Sequence, residues 1–109
     1  MPSYSKGDVV LVQVPYSDLS DAKVRPAIIV STAHKSRDVF IVPITSKTDA
    51  LLPGEFAMND WKGAGLNVAS AIKRGLFTIH KNLILQTLGR ISPQDESELT
   101  HSVRGWLGI

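Results

Sequence analysis

Short runs of β-branched and aliphatic residues, broken by glycine, proline or clustered polar residues, fill most of the chain. Val9 to Val14 follows the turn signal Gly7-Asp8 and stops at Pro15. Branched side chains pack well on a pleated surface, so this run predicts a strand. Tyr16 to Lys23 is polar and reads as a loop, long for a hairpin, and such loops often carry function. Val24 to Ser31 predicts a second strand, with Pro26 placing its start at a sheet edge or bulge because proline cannot donate to a ladder. Asp38 to Thr45 predicts a third, cut at Pro43. Shorter strands follow at Gly54 to Met58 and Val68 to Ile72, on either side of the turn-rich Asn59 to Asn67. Leu76 to Ile79 and Leu83 to Ile91 complete the set. Many short strands with frequent turns point to a barrel or a sandwich.

The period changes after Ile91. Ser92-Pro93-Gln94-Asp95 has the form of a capping box with proline at the first helical position. Leu99, Val103, Trp106 and Leu107 then share one face of a C-terminal helix, which should dock on the strands. Gly105 weakens the last turn, so fraying is expected near Trp106.

A length of 109 residues suits one domain, 1–109, and 43% hydrophobic content is enough for a core. The absence of cysteine excludes disulfides and thiolate metal sites and suits a reducing compartment. The charged start predicts no signal peptide, and no apolar run could span a bilayer, so the expected location is the cytoplasm, with no membrane partner. A net charge of +2 is compatible with a polyanionic partner without requiring one.

Three segments, read in order, resemble the MazF/PemK toxin family. The first is Gly7-Asp8-Val9-Val10-Leu11-Val12, a polar loop, then Lys23-Val24-Arg25-Pro26-Ala27-Ile28-Ile29-Val30-Ser31. The second is Val42-Pro43-Ile44-Thr45-Ser46-Lys47. The third is Ser70-Ala71-Ile72-Lys73, followed by Leu76-Phe77-Thr78-Ile79 and Leu88-Gly89-Arg90-Ile91-Ser92. The resemblance implies a mainly β fold, a small SH3-like β-barrel with a C-terminal helix. It also implies a homodimer that cleaves single-stranded RNA at particular sequences in a groove, with no metal and no cofactor, restrained by a cognate antitoxin.

In such cleavage the 2′-hydroxyl attacks the adjacent phosphorus, so a protein must align that oxygen and stabilise the phosphorane charge. Arg25 is the first catalytic candidate, because its planar fork can hold two phosphate oxygens at any working pH. The plain alternative is an exposed strand-end charge. Thr45 is the second catalytic candidate, since a hydroxyl can donate to a non-bridging oxygen; with Ser46 it could equally be a turn pair. Ser46, Lys47, Lys23, Ser70, Lys73 and Arg74 are the RNA-binding candidates. Where some family members carry an Asp and an Arg credited with acid–base roles, this chain has Gly75 and Phe77, which leaves the general base unassigned.

His34, His80 and His101 lack ligand spacing and receive no role. Of the aromatics weighed for base stacking (Tyr4, Tyr16, Phe56, Trp61 and Phe77), Tyr16 and Trp61 are the better candidates, being in polar loop contexts. Two other classes remain open: a binding module of the same fold without strong cleavage activity, and a gyrase poison, since a topoisomerase-inhibiting relative shares that barrel.

Overall fold

In the computed structural model, which describes residues 4–14, 23–32 and 34–109, the apolar runs become antiparallel strands and the change of period becomes a helix. The strands are β1 (Asp8–Val14), β2 (Lys23–Ile29), β3 (Asp38–Thr45), β4 (Phe56–Ala57), β5 (Ala71–Ile72), β6 (Phe77–His80) and β7 (Ile84–Arg90), followed by α1 (Pro93–Leu107). The expected mainly β architecture with a C-terminal helix is present. The strand pairing, however, is a 7-stranded sheet in the order β4-β5-β3-β2-β1-β7, with β6 also on β3, and it does not close into a barrel.

β4 and β5 are each 2 residues long, and no ladder joins β4 to β7. The turn between β4 and β5 fills the gap without entering the ladder. Gly65, at φ +89°, and Gly89 bring the two backbones into contact, since a Cβ on Gly65 would lie 2.2 Å from the Leu88 carbonyl oxygen. One on Gly89 would lie 2.6 Å from that of Ala64.

The runs lack strict alternation because both faces of the sheet are covered. Val9, Ile28, Val42 and Ile44 pack on one side with Phe56, Ile72 and Leu99 of α1. Val10, Val12, Ala27, Ile29 and Ile41 pack on the other with Ile79 and Ile84. Each fully buried valine or isoleucine among them contributes roughly 1.5–3 kcal/mol relative to exposure.

β3 keeps the expected span of Asp38–Thr45 and runs through Pro43 without the expected cut. Its partner changes there, from β6 at Asp38 to Ile41 to β5 at Ile44 and Thr45. Proline therefore sits between the two ladders on that side, where its missing N–H costs nothing. Pro26 is explained similarly: it pairs with Leu11 in β1, but the β2–β3 ladder begins only at Ala27.

The Gly7-Asp8 and Gly89-Arg90-Ile91 segments that carry part of the family resemblance meet in space. Asp8 and Arg90 form an ion pair at 3.1 Å, and the Ile91 N–H donates to the Gly7 carbonyl at 2.9 Å. Both segments join strand ends.

Half of the expected capping box forms. Ser92 Oγ accepts from the Asp95 N–H at 3.1 Å, with Pro93 in the first turn. The Asp95 carboxylate does not return to Ser92. It crosses to the turn after β4, accepting from the Asn59 N–H at 3.0 Å, Asn59 Nδ2 at 3.1 Å and the Asp60 N–H at 3.0 Å. The helix continues to Leu107, past the expected fraying, because Trp106 Nε1 donates to the Pro53 carbonyl and Gly108 closes the end in the left-handed region at φ 74°. Leu107 is turned outward at 52% exposure, so the docked face is Leu99, Ser102, Val103 and Trp106.

Candidate functional site

The first half of β2, Lys23 to Pro26, is held by β1 on one side and has no β3 partner on the other. A groove of about 790 Å³ opens beside it. Half-buried Leu11, Pro26, Pro43, Leu66, Phe77 and Leu88 supply its apolar lining. Exposed Arg25, Ser46, Lys47, Asn67, Lys73 and Arg74 supply its polar lining. Among the described lining residues there is no carboxylate and no imidazole, so every charged side chain in the lining is a cation, which attracts anions.

All the sequence-predicted site residues except Lys23 line this groove. Lys23 is exposed at the start of β2, outside the lining. Arg25 stands opposite Val12, so its backbone is fixed by the β1 pairing while its side chain is exposed. Thr45 ends β3 opposite Ala71 of β5. Its Oγ1 accepts from the Lys47 N–H at 3.1 Å, which holds the following turn and leaves the hydroxyl hydrogen to donate elsewhere. Ser70 differs, being 3% exposed and donating from Oγ to the Val68 carbonyl at 2.8 Å. Its hydroxyl shapes the wall. The Lys73 N–H donates to the Pro43 carbonyl at 3.0 Å, which seats the Lys73-Arg74 turn against β3.

The expected stacking residue Trp61 is elsewhere. Its ring packs against the helix-side core, with Lys62 Nζ 5.5 Å from the ring centroid. Among the described residues Phe77 is the aromatic that reaches the groove; Tyr16 lies outside them. His80 Nδ1 accepts from the Asn82 N–H at 3.0 Å and caps the 3-10 turn Lys81–Leu83, while His34 Nδ1 accepts from the Ser36 N–H at 3.0 Å. Both imidazoles serve local turns. His101 is exposed on α1. Among the described residues, no three of His, Asp and Glu gather in one place.

Sequence reading missed Glu55. Its Oε2 accepts from the Arg74 N–H at 2.8 Å and its Oε1 from the Leu52 N–H at 2.7 Å. Those two bonds, the Arg74 one first, and the nearby Lys73 and Arg74 charges hold its carboxyl below the usual glutamate range. A depressed carboxyl stabilises the fold at neutral pH, and that contribution is lost as pH falls through the folded value. Acidification should therefore release the Arg74 and Leu52 amides together, with one midpoint below that of an ordinary glutamate. Amide resonances followed by NMR check this; two separate midpoints, or none, would show that the carboxylate does not hold both.

The family model described as PemK-like, MazF-like toxin of type II toxin–antitoxin system matches residues 5–107. No curated protein sequence matches the chain. Solved structures do share its fold. An endoribonuclease in complex with its cognate antitoxin, from a mycobacterial species, superposes with a TM-score of 0.79 at 20% identity, covering 98% of this chain and 97% of that one. The Mycobacterium tuberculosis toxin MazF-mt6 gives 0.75 at 19% identity, over 94% and 97% of the two chains. A chain of the MazE–MazF structure from Deinococcus radiodurans gives 0.77 at 15% identity, over 97% of each.

Proposed function

The chain belongs to the PemK-like, MazF-like toxin family of type II toxin–antitoxin systems, and from that premise we propose that it is a metal-independent endoribonuclease acting on single-stranded RNA in the groove beside β2. The observation that carries this reading is the convergence of Arg25, Thr45 and the flanking cations on one groove with an apolar lining. Cations suit the phosphate backbone, and apolar surface with Phe77 suits unstacked bases.

The bond from the 2′-oxygen to phosphorus forms as the bond to the 5′-oxygen breaks, giving a 2′,3′-cyclic phosphate and a 5′-hydroxyl. Arg25 holds the non-bridging oxygens as charge builds, and the Thr45 hydroxyl donates to one of them. The 2′-hydroxyl proton leaves to solvent and the 5′-oxygen is protonated from it. Ser46, Lys47, Lys73 and Arg74 track the neighbouring phosphates, Lys23 attracts the strand on approach, and Ser70 supports the wall.

The working form is a homodimer, each chain one domain, in the cytoplasm. Among the described residues, no helix is long and apolar enough to cross a membrane. An antitoxin with an acidic or amphipathic tail would lie along the same cationic groove and exclude RNA.

A second reading, a binding module without cleavage, is favoured by the lack of a carboxylate or imidazole in the described lining. Incubation of the purified chain with labelled mixed-sequence RNA in EDTA separates the two. Cleavage leaving 5′-hydroxyl ends is expected; bound but intact RNA would favour the binding module. Intact RNA together with inhibited DNA supercoiling would instead indicate a gyrase poison.

A further inference from the structure

We propose that Glu55 is a positioning residue for the groove, a carboxylate that latches its two cation-bearing connections together and so fixes where Lys47, Lys73 and Arg74 meet the RNA backbone. This rests on the endoribonuclease reading above.

The β4–β5 ladder starts at Phe56 opposite Ile72, and Glu55 is the residue just before it. Beyond that point the link is a side chain. Oε1 on the Leu52 N–H at 2.7 Å, together with the Glu55 N–H on the Leu52 carbonyl at 2.9 Å, closes a turn in the β3–β4 connection, which carries Lys47. Oε2 on the Arg74 N–H at 2.8 Å reaches the β5–β6 connection, which carries Lys73 and Arg74. The same turn is anchored on α1, where Ser102 Oγ donates to the Gly54 carbonyl at 2.7 Å and Trp106 Nε1 to the Pro53 carbonyl at 3.2 Å. Order therefore passes from the helix through residues 53–55 to the groove wall.

Both carboxylate oxygens are engaged by backbone N–H groups, and hydrogen bonds to a charged acceptor are the stronger kind. The sole ion pair among the described residues is Asp8–Arg90, so the Lys73 and Arg74 head groups are not paired with Glu55. They are held in place by their backbone and remain available to phosphate.

The test is cleavage kinetics of the full chain on one single-stranded RNA, with thermal melts alongside. Glu55→Gln offers one acceptor oxygen and turns an NH2 toward the second N–H, which opens the latch at nearly constant volume. The expected result is a rise in KM of about five-fold, the factor equivalent to one net hydrogen bond. The turnover rate should be nearly unchanged, and log KM should depend less steeply on log salt, because fewer cations are held in register. Glu55→Asp keeps the charge but is a methylene too short to span both amides, and should raise KM in the same way; it carries the test if the Gln variant fails to fold. A wild-type KM in either folded variant, with the wild-type chain active, overturns the latch alone. Absence of cleavage by the wild-type chain overturns the endoribonuclease reading, and the role given to Glu55 falls with it.

Discussion

Replacing Arg25 with alanine should reduce RNA cleavage by about 10²–10³-fold, the usual loss when one preorganised donor to a developing oxyanion is removed. The guanidinium is exposed, and only its backbone belongs to the β1–β2 ladder. Stability should accordingly change by no more than about 0.5 kcal/mol, as for other surface substitutions. Arg25→Lys should recover little, because an ammonium keeps the charge but cannot span two phosphate oxygens. Single-turnover cleavage of a labelled RNA, run beside thermal melts, measures both quantities. Undiminished cleavage by a folded Arg25→Ala protein would move the reacting phosphate away from β2.

Asp95→Ala should produce the largest loss of stability. Asp95 is completely buried, and its carboxylate accepts three hydrogen bonds from Asn59 and Asp60. Removing it takes away three hydrogen bonds to a charged acceptor, each worth about 1.5–3 kcal/mol. A total of about 3–5 kcal/mol is expected, a large share of the roughly 5–15 kcal/mol that holds a domain together. The melting temperature should fall by on the order of 20 °C. Asp95→Asn keeps one acceptor oxygen and should lose about half as much. A loss below about 1 kcal/mol in urea titration would mean that water replaces the carboxylate. The turn that Asp95 holds leads into Gly65, Leu66 and Asn67 of the groove, so the alanine variant should also cleave RNA less well before it unfolds.

The elements were legible where their causes are local. β-branched runs made the strands visible, and Ser92 with Pro93 marked the start of α1, because caps and steric preferences act within a few residues. The resemblance puts Lys23, Arg25, Thr45, Ser46, Lys47, Ser70, Lys73 and Arg74 at one site, and the fold brings all but Lys23 onto one groove. Errors arose where a local signal was answered by a distant partner. Pro43 read as a break, yet β3 changes partner at that point and carries on. Asp95 read as a capping acid, yet its carboxylate is taken by Asn59 and Asp60, across the fold. Trp61 read as a loop aromatic, yet the helix-side core claims it.

Which backbone runs lie beside which is not encoded in period or composition. The backbone contact that fills the gap between β4 and β7 depends on two glycines, Gly65 against Leu88 and Gly89 against Ala64. Glu55 sits 19 residues before the amide it holds, with no spacing rule to announce it. The chain's own pattern sets strand, turn and helix because those preferences are short-range. The groove's charge, its apolar lining and the carboxylate behind it arise only when packing brings separate segments together, since hydrogen bonds and burial depend on distance in space.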